Sequence, residues 1–201
     1  MGHSNSPIGR FITLLIETGV DAVADVRSTP YSRFFPWFSC NNLQVHLKAA
    51  GIAYLAYGET LGGRPGDASL YCDGVADYEA MARTAAFQSG LDRLQNDMAK
   101  RRVCLMCAER EPPDCHRCLL VSRALAARGV AIGHVLHDGS IEPHTVTEHR
   151  LVEWAGTAAE ADLFVTGHNE RLAAAYRRRG RAVGYKAKPG SAGAKTVAEQ
   201  R

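Results

Sequence analysis

Residues 103–118 read Val103-Cys104-Leu105-Met106-Cys107-Ala108-Glu109-Arg110-Glu111-Pro112-Pro113-Asp114-Cys115-His116-Arg117-Cys118. The first four residues are apolar and rich in strand formers, which predicts a short buried strand. Pro112 and Pro113 break the chain, and Asp114 is expected to cap a helix running from Cys115 to Arg128, stopped by Gly129. A further strand is expected at Ala131–Leu136. Strand, helix, strand in this order implies a parallel sheet with crossover helices.

Upstream the alternation repeats. Ser6-Pro7 opens a helix carrying Ile8, Phe11, Ile12 and Leu15 and ending at Gly19. A strand is expected over Val20–Val26, a helix from Asn42 to Ala50 with Gly51 after it, and a strand over Ile52–Ala56. Residues 58–76 hold Gly58, Gly62, Gly63, Pro65, Gly66 and Gly74, and so predict a long surface loop able to cover a site. Thr84 caps a helix with the apolar stripe Phe87, Leu91, Leu94 and Met98, closed by Lys100, Arg101 and Arg102. Later elements are expected at Leu163–Val165 (strand), Asn169–Arg179 (helix) and Arg181–Lys186 (strand), with 187–201 disordered. The expected organisation is an α/β domain over 1–150, a C-terminal extension over 151–186 and a tail.

At 201 residues, with 46% hydrophobic and 22% charged residues, the chain suits one ordinary core. It has no long apolar run and no secretory signal pattern, so a cytoplasmic protein without membrane association is expected. The six cysteines then read as thiols or ligands rather than disulfides. Residues 171–201 carry nine Lys or Arg against one acid, Glu199; such a segment can hold nucleic acid through its phosphates, or be merely solvated.

Ligands of open α/β sheets bind beyond the carboxyl ends of the strands, where Cys107 and Glu109 emerge. Cys115, His116 and Arg117 are placed in the first turn of the following helix, whose free N–H groups favour an anion and lower a thiol pKa. Asp25 and Arg27, with Ser28, end the first strand and reach the same edge if the two strands are neighbours. His3, Ser4 and Asn5 precede the first helix and can face it too. A structural zinc held by Cys104, Cys107, Cys115 and Cys118 is the competing reading. It is disfavoured because Cys104 lies in a strand and Cys118 in a helix, not on the tight turns of metal knuckles.

Together, Gly2-His3-Ser4-Asn5, Asp25-Val26-Arg27-Ser28 with Pro30 and Ser32-Arg33, Gly51-Ile52-x-Tyr54, Leu61-Gly62-Gly63-Arg64, and Met106-Cys107-Ala108-Glu109 followed by Cys115-His116-Arg117 resemble the domain-of-unknown-function family 488, over residues 1 to about 145. The resemblance implies a Rossmann-like three-layer α/β sandwich with a mostly parallel sheet and these motifs at one sheet edge. It implies no activity. Family members carry a strand ahead of Gly-His-Ser, so a start upstream of Met1 is expected; Cys104 and Cys118 fall outside the family pattern.

The expected function is an enzyme acting on a phosphate-bearing or otherwise anionic ligand, such as a nucleotide. Arg27 and Arg117 would bind the anion, helped by Ser28, His3, Ser4, Asn5, Gly62 and Gly63. Cys115 would be nucleophile or redox thiol with Cys107 as its resolving partner. Glu109 or His116 would move protons, and Asp25 would orient Arg27 or His3. The alternatives are a nucleic-acid-binding or repair-associated protein using the basic segment and the aromatic loop Tyr31–Phe38, and a non-catalytic interaction module.

Overall fold

The computed structural model describes residues 1–156 and 167–187. In chain order its elements are α1 (Ile8–Glu17), β1 (Ala22–Asp25), α2 (Cys40–Ala49), β2 (Ala53–Ala56), α3 (Gly58–Leu61), β3 (Tyr71–Cys72), β4 (Val75–Ala76), α4 (Tyr78–Ala82), α5 (Ala85–Met98), β5 (Val103–Met106), a π-helical segment Arg117–Ser122 continuing into α6 (Arg123–Ala127), β6 (Gly133–Val135), β7 (Ile141–Pro143), α7 (His144–Trp154) and α8 (His168–Val183).

The main sheet has three parallel strands in the order β2-β1-β5, in register from Ala22 opposite Ala53 and Val103 to Asp25 opposite Ala56 and Met106. All four β1 residues are buried, as the centre of a sheet covered on both faces requires. Side chains alternate between two cores. Val23, Cys104 and Met106 pack with Phe11, Leu14 and Leu15 of α1 and Leu43 and Leu47 of α2. On the other face, Ala24 joins Phe87, Leu91 and Leu94 of α5, Leu120 and Val121 of the π-helical segment and Leu125 of α6. The molecule is thus an α/β structure with helices on both faces of a parallel sheet. Beyond β5, Gly2 bridges Cys107 in parallel, His3 N–H donates to the Cys107 carbonyl and Ser4 N–H to that of Ala108.

Several expectations are corrected. The chain from 131 to 136 does not join the parallel sheet: β6 pairs antiparallel with β7 in a separate hairpin. The cause is Asp138-Gly139, where Gly139 sits at φ 97° and Asp138 accepts from Ser140 N–H, so the chain doubles straight back. Residues 58–76 are not a bare loop but hold α3 and the β3–β4 hairpin. Asp114 does not cap a helix: Pro112–Asp114 is a 3₁₀ turn, and the extended Cys115 takes the capping place, its carbonyl accepting from the N–H groups of Cys118 and Leu119. Arg181–Lys186 is no strand, because α8 runs on to Val183 and only Lys186 bridges Val75. The strand expected at Leu163–Val165 lies outside the described residues, as does the tail from 188 onward.

Position 150 falls within α7. Leu151 and Ala155 pack with Ala175 and Tyr176 of α8 and with Leu119, forming a third core. No described helix is long and apolar enough to cross a membrane.

Candidate active site

A cleft of about 530 Å³ opens at the carboxyl ends of β1 and β5; its lining includes His3, Arg27, Arg33, Arg64, Cys107, Glu109 and His116. Parallel pairing of β1 with β5 brings Asp25 opposite Met106, so the residues after each strand share one edge.

On the β1 side, Asp25 and Arg27 form a buried fork. Arg27 Nε donates to Asp25 Oδ1 at 2.8 Å and NH2 to Oδ2 at 2.6 Å. The same NH2 reaches the Phe38 carbonyl at 2.8 Å, and Tyr54 Oη donates to Asp25 Oδ2 at 2.8 Å. Arg27 NH1 lies 3.2 Å from His3 Nε2. Since NH1 can only donate, His3 accepts through Nε2 and donates from Nδ1 to the Ser4 carbonyl, 2.9 Å away. The ring is also stacked on Phe38. Burial holds the His3 pKa down to about 4, so the imidazole is neutral. Asp25 thus orients Arg27, which in turn orients His3.

On the β5 side, four side chains converge. Glu109 Oε2 lies 2.7 Å from Cys107 Sγ and 3.0 Å from Cys115 Sγ. His116 Nδ1 lies 3.5 Å from Cys107 Sγ and 3.8 Å from Cys115 Sγ. His116 Nε2 donates to the Val26 carbonyl at 2.9 Å, which fixes Nδ1 as the atom facing the sulfurs. Arg117 N–H donates to Cys115 Sγ at 3.3 Å. Cys107 and Cys115 are buried, whereas Glu109 keeps much of its surface in the cleft and turns its carboxyl inward.

The electrostatics follow from this packing. Burial raises the Cys107 pKa, but the Cys115 hydrogen bond and the nearby His116 outweigh it and hold the thiol well below its ordinary value. Burial pushes Cys115 well above, and the charge on Cys107 adds to that. Burial lowers the His116 pKa, yet the Cys107 thiolate raises it overall. Burial and then Cys107 raise Glu109. The surroundings thus favour negative charge on Cys107 over Cys115, with His116 the neighbour that draws it there.

Glycines let the neighbouring loop close on the cluster. A Cβ on Gly63 would stand 2.6 Å from His116 Cγ, and one on Gly62 2.3 Å from Ser28 Oγ. Ser28 Oγ accepts from Arg64 N–H at 3.0 Å, which sets Arg64 on the cleft wall.

Of the residues singled out in the sequence, the structure brings Cys107, Glu109, His116, His3, Arg27, Ser28 and Gly63 to the cleft. Cys115 lies beneath its floor, and Asp25 behind Arg27. Ser4, Asn5 and Gly62 do not line it. Arg117 turns elsewhere, into a cavity of about 310 Å³ shared with Cys104, Ser122 and His134. It is 1% exposed, and its Nε and NH1 have no hydrogen-bond partner among the described residues. Sequence reasoning assigned no role to Arg33, Arg64, Tyr78 or Tyr185, which complete the cleft. For the two arginines the signal lay in the motifs themselves, each following a strand-end or glycine pair; Tyr78 and Tyr185 arrive from distant elements and had none.

Two groups could hold a metal ion. The donor atoms of Cys107, Glu109, Cys115 and His116 lie within 4.8 Å of one another, as do those of Cys118, His134 and His144. Cys104 belongs to neither, so the four-cysteine arrangement is not formed.

A family model described as domain of unknown function DUF488 matches residues 7–124, a span that includes the whole three-stranded parallel sheet and all four clustered side chains. No curated protein matches, and no solved structure does.

Proposed function

The chain belongs to the DUF488 family, whose description assigns no activity, and from the geometry of its cleft we propose an enzyme acting on an anionic, phosphate-bearing substrate. The observation that carries this reading is the pair Arg33 and Arg64. Both are exposed on the cleft wall, and neither has an ion-pair partner among the described residues, whereas Arg27 is occupied by Asp25. Arg64 stands over the Tyr185 ring at 4.9 Å, which holds its guanidinium at the rim. The anion is therefore bound by Arg33 and Arg64, with Arg27 and His3 forming a fixed wall.

The reacting centre of this reading is the cluster on the floor. Cys107 is the thiolate a substrate meets, since Cys115 does not reach the cleft; this reverses the order of the two thiols expected from helix placement. Glu109, with its surface in the cleft, carries protons to and from solvent. His116 is held by Val26 and Gly63 and so presents Nδ1 in one orientation. A site beyond the carboxyl ends of parallel strands, between helical layers, supports the finer description of the fold as a Rossmann-like sandwich.

The test is calorimetric titration with inorganic phosphate and adenosine monophosphate. Saturable binding is expected, weakened about tenfold by Arg64→Ala, which corresponds to about 1.4 kcal/mol. A wild-type protein that binds neither probe overturns the proposal.

A further inference from the structure

The geometry points to a zinc ion held by Cys107 Sγ, Cys115 Sγ and His116 Nδ1, with Glu109 at the fourth position from the cleft; the inference rests on the anionic-substrate reading proposed above and replaces its free Cys107 thiolate with the ion as the reacting centre.

The distances fit the ion. A tetrahedral zinc with sulfur at about 2.3 Å and nitrogen at about 2.0–2.1 Å places each sulfur roughly 3.6 Å from the nitrogen. The two sulfur–nitrogen separations are 3.5 and 3.8 Å. Glu109 Oε2, at 2.7 and 3.0 Å from the sulfurs, stands where the ion would sit close to both. It is the exposed member of the set, free to swing toward the cleft as the ion enters.

The surroundings are those of a ligand set. A ligating imidazole donates its other N–H to a backbone carbonyl or carboxylate, and His116 Nε2 does so to Val26. A backbone N–H, that of Arg117, supports Cys115 Sγ. Two thiolates and a carboxylate exceed the charge of a divalent ion by one, and the buried guanidinium of Arg117 supplies the balancing positive charge. With three buried ligands and Glu109 at the cleft side, displacing the carboxylate opens a fourth position to water or substrate, which is what a catalytic rather than a structural zinc requires.

The second metal-competent group is closed on itself. Tyr176 Oη donates to Glu148 and so accepts from His144 Nε2, leaving His144 Nδ1 to accept from His134 Nε2 at 2.9 Å. Three of its four imidazole nitrogens are thus engaged without an ion.

The experiment is metal analysis of the full chain, purified under reducing conditions and reconstituted with excess zinc before desalting. About one zinc per chain is expected. It should fall below roughly a tenth of that in Cys107→Ser and Cys115→Ser, and stay unchanged in Cys118→Ser and Cys104→Ser, with folding followed by circular dichroism. Where a ligand variant fails to fold, cobalt substitution of the wild type and of Cys118→Ser decides: thiolate-to-cobalt charge-transfer bands of equal strength in both support the site. A wild type that retains no zinc, or zinc and cobalt bands lost in Cys118→Ser alone, overturns it. Phosphate titration of the same samples separates the two claims. Zinc-free protein that still binds phosphate defeats the metal site only; zinc-loaded protein that binds no phosphate leaves the metal site standing and defeats the substrate reading.

Discussion

At the residue scale, the Asp25–Arg27 fork does the most to hold the cleft in shape. Both side chains are buried, at 1% and 5% exposure, and Arg27 also anchors the Phe38 carbonyl and His3. Removing the guanidinium leaves a buried carboxylate whose remaining partners are the Tyr54 hydroxyl and the Arg27 N–H. Arg27→Ala is therefore expected to cost about 3–5 kcal/mol in urea-unfolding experiments, with Arg27→Lys less damaging because it restores the charge but not the fork. A loss below about 1 kcal/mol would show that the pair contributes little beyond solvent-exposed ion pairs. Sequence alone placed Asp25 and Arg27 at one edge; it did not show that the carboxylate would fully occupy the arginine expected to bind substrate, because that depends on how far the loop 30–38 folds back.

Among the elements, α8 carries the arginines that suggested a polyanion-binding surface. Three of them are engaged by the body of the molecule. Arg177 pairs with Glu79, Arg178 donates to the Ala155 carbonyl, and Arg179 contacts Asp114 and the Pro113 carbonyl while stacking 3.9 Å over Trp154. Arg179 thereby braces the turn immediately before Cys115. In Arg179→Ala, hydrogen exchange at the Cys118 and Leu119 amides, which close on the Cys115 carbonyl, should quicken by about tenfold, equivalent to about 1.4 kcal/mol of local stability. Unchanged exchange there would mean that α8 docks without supporting the site. The helix itself was legible in the pattern from Asn169 to Arg179. Its role as a brace was not, because composition records charge and not which acids fold beneath it. The β6–β7 hairpin shows the converse: Asp138-Gly139 carried its own turn signal, outweighed by the expectation that alternation would continue.

For the whole molecule, buried histidines tie stability to pH. Burial, followed by the positive charge of Arg117, holds the His134 pKa down to about 2, so the folded protein keeps this ring neutral. The unfolded chain takes up the proton near the ordinary histidine value of 6.5, and it therefore binds more protons than the native state below that pH. The stability from His134 is fully present above pH 6.5 and declines as pH falls toward 2, by up to about 1.4 kcal/mol per unit. Guanidinium unfolding at pH 7.5, 6 and 5 should show this slope in the wild type and a shallower one in His134→Gln; equal slopes would assign the acid sensitivity to other groups. The parallel three-strand core was readable from apolar runs bounded by glycine and proline. The third core, where α7 and α8 meet Leu119, was not, since α7 has no uninterrupted apolar stripe to announce a partner for α8.

The position of β1 between β2 and β5 also sets a timetable for synthesis. The ribosome makes β1 and β2 close together, but Ala22 must wait for Val103 before its second edge is paired. Throughout that interval the strand destined for the centre of the sheet presents an open row of unpaired N–H and C=O groups to the cell. Such long-range pairing slows folding and leaves edges free to meet other chains, so the yield of soluble protein will depend on how fast translation carries residues 103–118 out to close it.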